Sequence, residues 1–363
     1  MKVLRVIISG GGTGGHIFPA IAIAKAIQRL QPNTEILFVG AEGKMEMEKV
    51  PQAGYTIIGL PIVGIQRKLT LKNLLVPFKV LQSMMKAKKI VREFKPDIAI
   101  GVGGYASGPL LRAAAQLGIP TFLQEQNSYP GITNKILAKK AHKICVAYDG
   151  LDHFFPKEKI ILTGNPIREE VTQLEGKKES ALRHFGLDAN KKTLLVVGGS
   201  LGARTINQAI DASKDHLSNS GLQVLWQTGK NFSVDASQLP SGVHAHTFIR
   251  EMDLAYAAAD LIVSRAGAMS ISELCLVGKP VILIPSPNVS EDHQTKNAMA
   301  LVNKGAAILV KDAEAIDQLP LAISKLMNDP ALCADLSHKI LSLGKAGSAD
   351  RIAQEAIAVA SRS

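Results

Sequence analysis

Along the chain, short apolar runs alternate with longer stretches in which apolar positions recur every three or four residues. The first kind predicts buried strands, and the second predicts helices packed against them. Strands are expected at 3–9, 35–39, 97–101, 120–123 and 143–147, then near 193–197, 222–227, 244–248, 260–264, 280–284 and 306–310. Strand and helix in regular alternation build parallel sheets covered by helices on both faces. The expected fold is therefore α/β, two doubly wound Rossmann-like domains facing a central cleft. The segment "ILTGNPIR" (161–168), punctuated by Gly164 and Pro166, is the expected linker. It divides the chain into domains 1–163 and 164–340. The last helix, 341–363, has no strand after it and is expected to pack back across the first domain.

Composition narrows the class. The 363 residues are 46% hydrophobic and 20% charged, with no low-complexity tract, which suits two globular domains. No apolar run reaches the roughly 20 residues needed to span a bilayer. The N-terminal run is interrupted by Arg5 and stops at Gly10, so it reads as a strand rather than a signal-peptide core. Cys145, Cys275 and Cys333 have neither metal-ligand nor redox spacing, and an odd count gives no disulfide framework. A cytoplasmic protein is expected.

Charge changes the picture more. Residues 1–163 carry 22 Lys+Arg against 10 Asp+Glu, whereas residues 164–363 carry 20 against 21. The whole excess belongs to the first half, which points to an anionic partner there. Aromatic residues make up only 4% of the chain and no nucleic-acid motif is present. An anionic membrane surface or a phosphorylated substrate is expected, and nucleic acid is not.

Three glycine-rich turns follow expected strands: "GGGTGG" (10–15), "GVGGYASG" (101–108) and "GGSLGAR" (198–204). Small residues let backbone approach a ligand, and a helix starting there aims N–H groups and a positive dipole end at anionic oxygen. Gly10, Gly12 and Gly15 formally spell a dinucleotide fingerprint. The acid expected at the end of the second strand is missing, since Glu42 comes later and inside a loop. His16 closes the turn instead. The apolar positions Ile17, Ile21, Ala24 and Ile27 of its helix face the core, which turns the imidazole toward the cleft. A neutral imidazole there can take a proton from a substrate hydroxyl.

The most informative segment is 264–305, "SRAGAMSISELCLVGKPVILIPSPNVSEDHQTKNAMALVNKG". It reads as a strand end, a small-residue turn at Ala266–Gly267, a helix beginning at Ala268 and Met269, a buried strand, and a second helix start at Asp292, His293 and Gln294. Glu273 lies far enough along its helix to accept both hydroxyls of a ribose, while the later helix start can meet sugar hydroxyls.

This segment resembles the nucleotide-sugar domain of two-Rossmann (GT-B) glycosyltransferases. With "GGGTGGHIFPA", "GVGGYASGP", "QEQNSYPGITNK", "TGNPIR", "GGSLGAR" and "RAGAMSISE" in order along nearly the whole chain, it is similar to the lipid II-forming GlcNAc transferases of glycosyltransferase family 28. The resemblance implies transfer of GlcNAc from UDP-GlcNAc to undecaprenyl-diphospho-MurNAc-pentapeptide (lipid I). It implies that Glu273 holds the ribose and that Ile249, beside Phe248, offers backbone to the uracil. Ser200 and Arg168 would bind the diphosphate near the helix start at Ala268 and Met269. Thr13, Gly14, Gly15, Asn127, His293 and Gln294 would lie around the sugars. His16 leads as the base, with Glu125 and Tyr105 near it, and Gly12, Gly103 and Gly104 form loops for acceptor and diphosphate. Two positions depart from the family pattern: Leu201 replaces a frequent glutamine, and Gln124 replaces a histidine found in some relatives.

The implied reaction is an inverting displacement by the acceptor's 4-hydroxyl. No Asp-x-Asp pair occurs in the sequence, so Arg168 and helix N-termini are expected to stabilise the leaving diphosphate, with no metal and no cofactor. Residues 67–95 carry nine Lys/Arg and one acid. Leu74, Phe78, Leu81 and Met85 form an apolar stripe beside Lys72 and Lys79, a second stripe that a helix of this fold does not need for its core. A peripheral position on the cytoplasmic side of the cell membrane is expected, with cell-wall synthesis proteins as further partners. Three other readings stay open: a UDP-sugar transferase acting on diacylglycerol, a non-catalytic sugar-nucleotide-binding subunit, and an NAD oxidoreductase.

Overall fold

The computed structural model describes residues 3–62, 76–167, 171, 173–289 and 292–361, with side chains in the helix that begins at Val76 described from Phe78 onward. The chain divides into two units, Met1–Ile167 with Gly347–Ser363, and Arg168–Ala346. The first unit contains β1 (Arg5–Ser9), α1 (Gly14–Leu30), β2 (Glu35–Ala41), α2 (Glu46–Gln52), β3 (Thr56–Leu60), α3 (Val76–Phe94), β4 (Ile98–Gly101), α4 (Ser107–Gln116), β5 (Thr121–Glu125), α5 (Ile132–Ala138), β6 (Lys143–Val146) and β7 (Ile160–Leu162). The second contains α6 (Lys178–Phe185), β8 (Lys192–Val197), α7 (Arg204–Asn219), β9 (Leu222–Gln227), β10 (Val243–His246), α8 (Met252–Ala258), β11 (Leu261–Ser264), α9 (Ala268–Val277), β12 (Val281–Leu283), α10 (His293–Val302), β13 (Ile308–Leu309), α11 (Ala315–Asn328) and α12 (Pro330–Ser342). The final helix, α13 (Ser348–Ala360), belongs to the first unit.

Both sheets are parallel, in the orders β3-β2-β1-β4-β5-β6-β7 and β10-β9-β8-β11-β12-β13. In each, the chain starts at a central strand, winds outward to one edge, then returns to the other side of that strand. The reversals fall between β1 and β4 and between β8 and β11, where loops at the carboxyl ends diverge and leave a crevice for ligands. Register sets those loops side by side: Ser9 pairs with Gly101, and Val197 with Ser264. The glycine-rich turns thus stand at the two switch points.

Alternate side chains of the central strands feed opposite faces of the sheet. Ile7 joins a cluster with Ala87, Ile90 and Val91 of α3 and Leu110 of α4. Ile8 joins one with Ile17, Ile21, Ala24 and Ile27 of α1. Helix α13 enters this second core through Ile352, Ala353 and Ala356, and Asp350 pairs with Arg29 at the end of α1. The division between units falls after Ile167, and the return begins at Gly347, with φ +68°. Residues 341–346 stay with the second unit, where Leu341 packs against Gly278.

Two strands were not expected. β3 and β7 are the two edges of the first sheet, half-buried and short, and the run "IIL" of β7 extends into the stretch read as linker.

Candidate active site

In the first unit, Thr13 in extended conformation ends the glycine turn, and α1 begins at Gly14. The turn is held from below by two side chains. Ser107 Oγ donates to Ser9 O at 3.0 Å and to Gly103 O at 2.8 Å, tying the two switch-point loops together. Glu46, fully buried at the start of α2, accepts from Gly12 N at 2.9 Å and from Ala41 N at 3.0 Å. The Gly12 amide, expected to face a diphosphate, is therefore turned to a carboxylate instead. The close approach explains the glycines: a Cβ on Gly11 would lie 2.2 Å from Glu46 Oε1, and one on Gly104 (φ +88°) 2.4 Å from Gly11 O.

His16 lies against the second loop. A Cβ on Gly103 (φ +97°) would come within 2.8 Å of its Cδ2 and 2.9 Å of its Nε2, so only glycine lets the ring sit there. His16 Nδ1 is 3.1 Å from Gly11 O and 3.5 Å from Thr13 Oγ1. A carbonyl only accepts, so Nδ1 carries the proton and the lone pair of the neutral ring is on Nε2. Tyr105, two residues beyond Gly103, is 53% exposed.

Glu125, expected near the base, has a different setting. It ends β5, is 2% exposed, and receives four N–H donors. Asn127 N (3.0 Å) and Asn127 Nδ2 (3.2 Å) donate to Oε1, while Gly131 N (3.2 Å) and Asn134 Nδ2 (2.9 Å) donate to Oε2. Burial pushes its carboxyl above the ordinary range, while these donors pull it down. The arrangement suits a carboxylate that folds the 126–131 loop over itself. Gln124 and Gln126 extend this network to the linker: Gln124 Nε2 donates to Asn165 Oδ1, and Asn165 Nδ2 donates to Gln126 O, each at 3.0 Å.

In the second unit, the turn after β8 passes against the turn after β9. A Cβ on Gly202 (φ +83°) would lie 2.1 Å from Thr228 O, and one on Gly229 2.0 Å from Gly202 N. Ser200 and Leu201 are exposed on the outside of this turn. Ile249 is 3% exposed, and its N–H, expected to meet a uracil, donates to Gln227 Oε1 at 2.9 Å. A base reaching that amide has to displace the Gln227 side chain; Phe248 beside it is 52% exposed.

Gly267 in extended conformation precedes α9, whose first residues Ala268 and Met269 are half-buried. On α9, Glu273 Oε2 accepts from the buried Tyr256 hydroxyl at 3.1 Å, which fixes that carboxylate. Arg265, in the turn after β11, donates to Ile284 O (3.0 Å) and Pro285 O (3.1 Å) and pairs with Asp312. Asp312 also accepts from Thr205 Oγ1 at 2.9 Å, so one carboxylate joins the first turn of α7 to the turn before α9. Gln294 Oε1 accepts from Ser286 N at 2.8 Å, which orients its amide; His293 is the first residue of α10. Asp292 before it adopts φ +51°.

Arg168, Lys72 and Leu74 lie outside the described residues. Lys79 is half-buried at the start of α3. Phe78, Leu81 and Met85 are 68%, 58% and 60% exposed, while Ala87, Ile90 and Val91 of the same helix are buried. Among the described residues, no group of three or more His, Cys, Asp or Glu is placed to hold a metal ion, and no helix is long and apolar enough to cross a membrane. Glu46, Ser107, Asn134, Gln227, Tyr256, Arg265 and Asp312 were not anticipated. Most of their partners are distant in sequence, and only for Glu46 and Ser107 do neighbouring glycines give a signal.

Two family models match: the glycosyltransferase family 28 N-terminal domain over residues 6–146 and the glycosyltransferase family 28 C-terminal domain over residues 193–352. The chain is 56% identical to a Parabacteroides distasonis protein over 99% of both chains. It is 55% identical to one from Flavobacterium psychrophilum over 98% of both. Both relatives are named UDP-N-acetylglucosamine–N-acetylmuramyl-(pentapeptide) pyrophosphoryl-undecaprenol N-acetylglucosamine transferase. Among solved structures, Acinetobacter baumannii MurG superposes with a TM-score of 0.78 at 29% identity, covering 98% of this chain and 99% of the other. CalG4, the calicheamicin glycosyltransferase, shares the fold, with a TM-score of 0.70 at 15% identity over 100% and 99% of the two chains.

Proposed function

This chain belongs to glycosyltransferase family 28, and we propose that it moves GlcNAc from UDP-GlcNAc to the 4-hydroxyl of MurNAc in undecaprenyl-diphospho-MurNAc-pentapeptide, forming lipid II for peptidoglycan synthesis. The observation that carries this reading is the full-length similarity to transferases so named, at 56% identity. In the reaction the acceptor oxygen attacks the anomeric carbon, the bond from that carbon to the diphosphate breaks, and UDP departs with inversion. His16 takes the hydroxyl proton at Nε2. Glu273, steadied by Tyr256, holds the donor ribose. Ser200, the α9 N-terminus and Arg168 bear on the diphosphate, whose growing charge favours oriented N–H groups and fixed cations. Thr13, Gly14, Gly15, Asn127, His293 and Gln294 serve the sugars.

The test is UDP release from UDP-GlcNAc with and without a lipid I analogue. Acceptor-dependent release is expected, and release indifferent to the acceptor would sink the assignment. The same assay in excess EDTA is expected to retain its rate, because the chain has no Asp-x-Asp pair and its charge stabilisation comes from side chains and helix ends. Loss of turnover in EDTA, restored by Mg²⁺, would overturn that account.

The acceptor is lipid-linked, and the exposed stripe Phe78–Leu81–Met85 on basic α3 supports docking on an anionic membrane surface. Attraction of such a surface is worth about 1 kcal/mol per nearby basic residue, and each inserted apolar side chain adds roughly 1.5–3 kcal/mol. The double variant Phe78→Ser/Leu81→Ser is expected to lose most of its cosedimentation with anionic vesicles while retaining turnover on a soluble acceptor. Full pelleting of the variant would remove this surface from the docking model.

A further inference from the structure

The hydrogen bonds beneath the first glycine turn form a continuous line. Gly11 C=O and Gly12 N–H are the two ends of one peptide group. Glu46 Oε2 accepts the N–H at 2.9 Å, and the C=O accepts the His16 Nδ1–H at 3.1 Å. We propose that Glu46 is a positioning residue for His16, acting through the Gly11–Gly12 peptide much as a carboxylate acts directly on a catalytic imidazole. The proposal rests on the reading of His16 as the base.

Three features carry it. First, amide resonance couples the two ends of the peptide. A carboxylate drawing on the N–H raises the electron density on the oxygen, and hydrogen bonds in series strengthen one another. The Nδ1–H contact becomes stronger, the ring is held in the tautomer with its lone pair on Nε2, and the imidazolium formed on proton transfer is stabilised.

Second, the carboxylate is rigidly placed. Its other oxygen accepts from Ala41 N at the end of β2, at 3.0 Å, and the residue is fully buried. Burying a carboxyl is costly unless hydrogen bonds compensate, and here both oxygens accept one. The chain accommodates it by placing glycine at 11 and 40, where a Cβ would lie 2.2 Å from Glu46 Oε1 and 2.6 Å from its Cγ.

Third, the two loops flanking the ring bring almost no charge of their own. Residues 9–15 contain none, and residues 101–107 contain only Tyr105. On α2, Glu48 and Lys49 pair with each other at the surface. On α13, packed along α1, the ionisable residues are Asp350, Arg351 and Glu355, with Asp350 paired to Arg29 at the far end of α1.

The experiment uses the full chain labelled with ¹⁵N-histidine, His16 being assigned by its absence from a His16→Gln spectrum. In the wild type, neutral His16 is expected to carry its proton on Nδ1 with a downfield proton shift. In Glu46→Gln, one polar atom facing a backbone N–H becomes a donor and the charge is lost. The His16 titration is then expected to move to lower pH, with the acid limb of the kcat profile following it. The kcat is expected to fall about 10-fold, the usual scale for such supporting partners, with KM for UDP-GlcNAc unchanged; Glu46→Asp, which keeps the charge, should restore most of the titration. A Glu46→Gln enzyme that is slower but shows an unmoved His16 titration makes Glu46 merely structural and overturns the proposal. If the variant does not fold, the wild type decides alone: a proton on Nε2 overturns it. Wild-type transfer by His16→Ala overturns the reading of the base instead, and the catalytic half of the proposal falls with it.

Discussion

Replacing His16 with alanine is expected to slow transfer by about 10²–10⁴-fold, the range a positioned general base supplies, while the affinity for UDP-GlcNAc hardly changes. The expectation follows from where the two roles reside. The ring sits in the first unit, against Gly103, with Nδ1 committed to the Gly11 carbonyl. Glu273, Ile249 and Ser200, the groups proposed to recognise the donor, belong to the second. A mutation confined to proton abstraction lowers kcat and kcat/KM together, whereas one that removes uniform binding raises KM alone. Single-turnover rates with saturating donor, set beside direct titration of UDP-GlcNAc, separate these cases. A variant with normal kcat and weakened donor binding would move His16 from the chemistry to the donor site.

The turn geometry of the candidate site was legible in the sequence, because these turns need residue types that stand out. Glycines at 12, 103, 104 and 202 occupy positive φ angles, and Gly103 and Gly202 also permit close approaches, so the loops announce themselves as clusters. The central strands are legible for a similar reason: β1, β4, β8 and β11 are buried on both faces and read as continuous apolar runs. The edges of the first sheet were not. β3 and β7 pair on one side only and are half-buried, so "TIIGL" and "IIL" look like the loops around them. The supporting polar groups were invisible for another reason. Glu46 meets Gly12 across 34 residues and Asn165 meets Gln126 across 39, and no local pattern encodes such a contact. Tyr256 resembles any tyrosine in a helix until α8 and α9 bring its hydroxyl to Glu273.

Glu125 is where the chemical and the structural reading of one residue part most clearly, and two variants separate them. Glu125→Ala removes the acceptor for four N–H groups inside a buried loop. Leaving donors unpaired costs about 1–3 kcal/mol each before the loop relaxes toward water, so a net loss of roughly 3–5 kcal/mol is expected, as for breaking a buried charged network. For a unit of this size that is a fall of about 10 °C in the melting transition. The acceptor KM should rise as the 126–131 loop loses its fold.

Glu125→Gln keeps the shape but cannot titrate, and pH then reads the carboxyl directly. Burial raises its pKa in the folded chain. As pH rises, the unfolded chain therefore gives up this proton first, and folding stability from this group falls between the unfolded and the raised folded value. Wild type is expected to lose stability relative to Glu125→Gln across that window, measured by denaturant melts at a series of pH values. On the structural reading, Glu125→Gln retains measurable kcat and shows an altered acceptor KM. Were it to lose transfer by 10²–10⁴-fold with the loop, the melting transition and the acceptor KM intact, the proton would be going to Glu125, and His16 would be left to orient the acceptor.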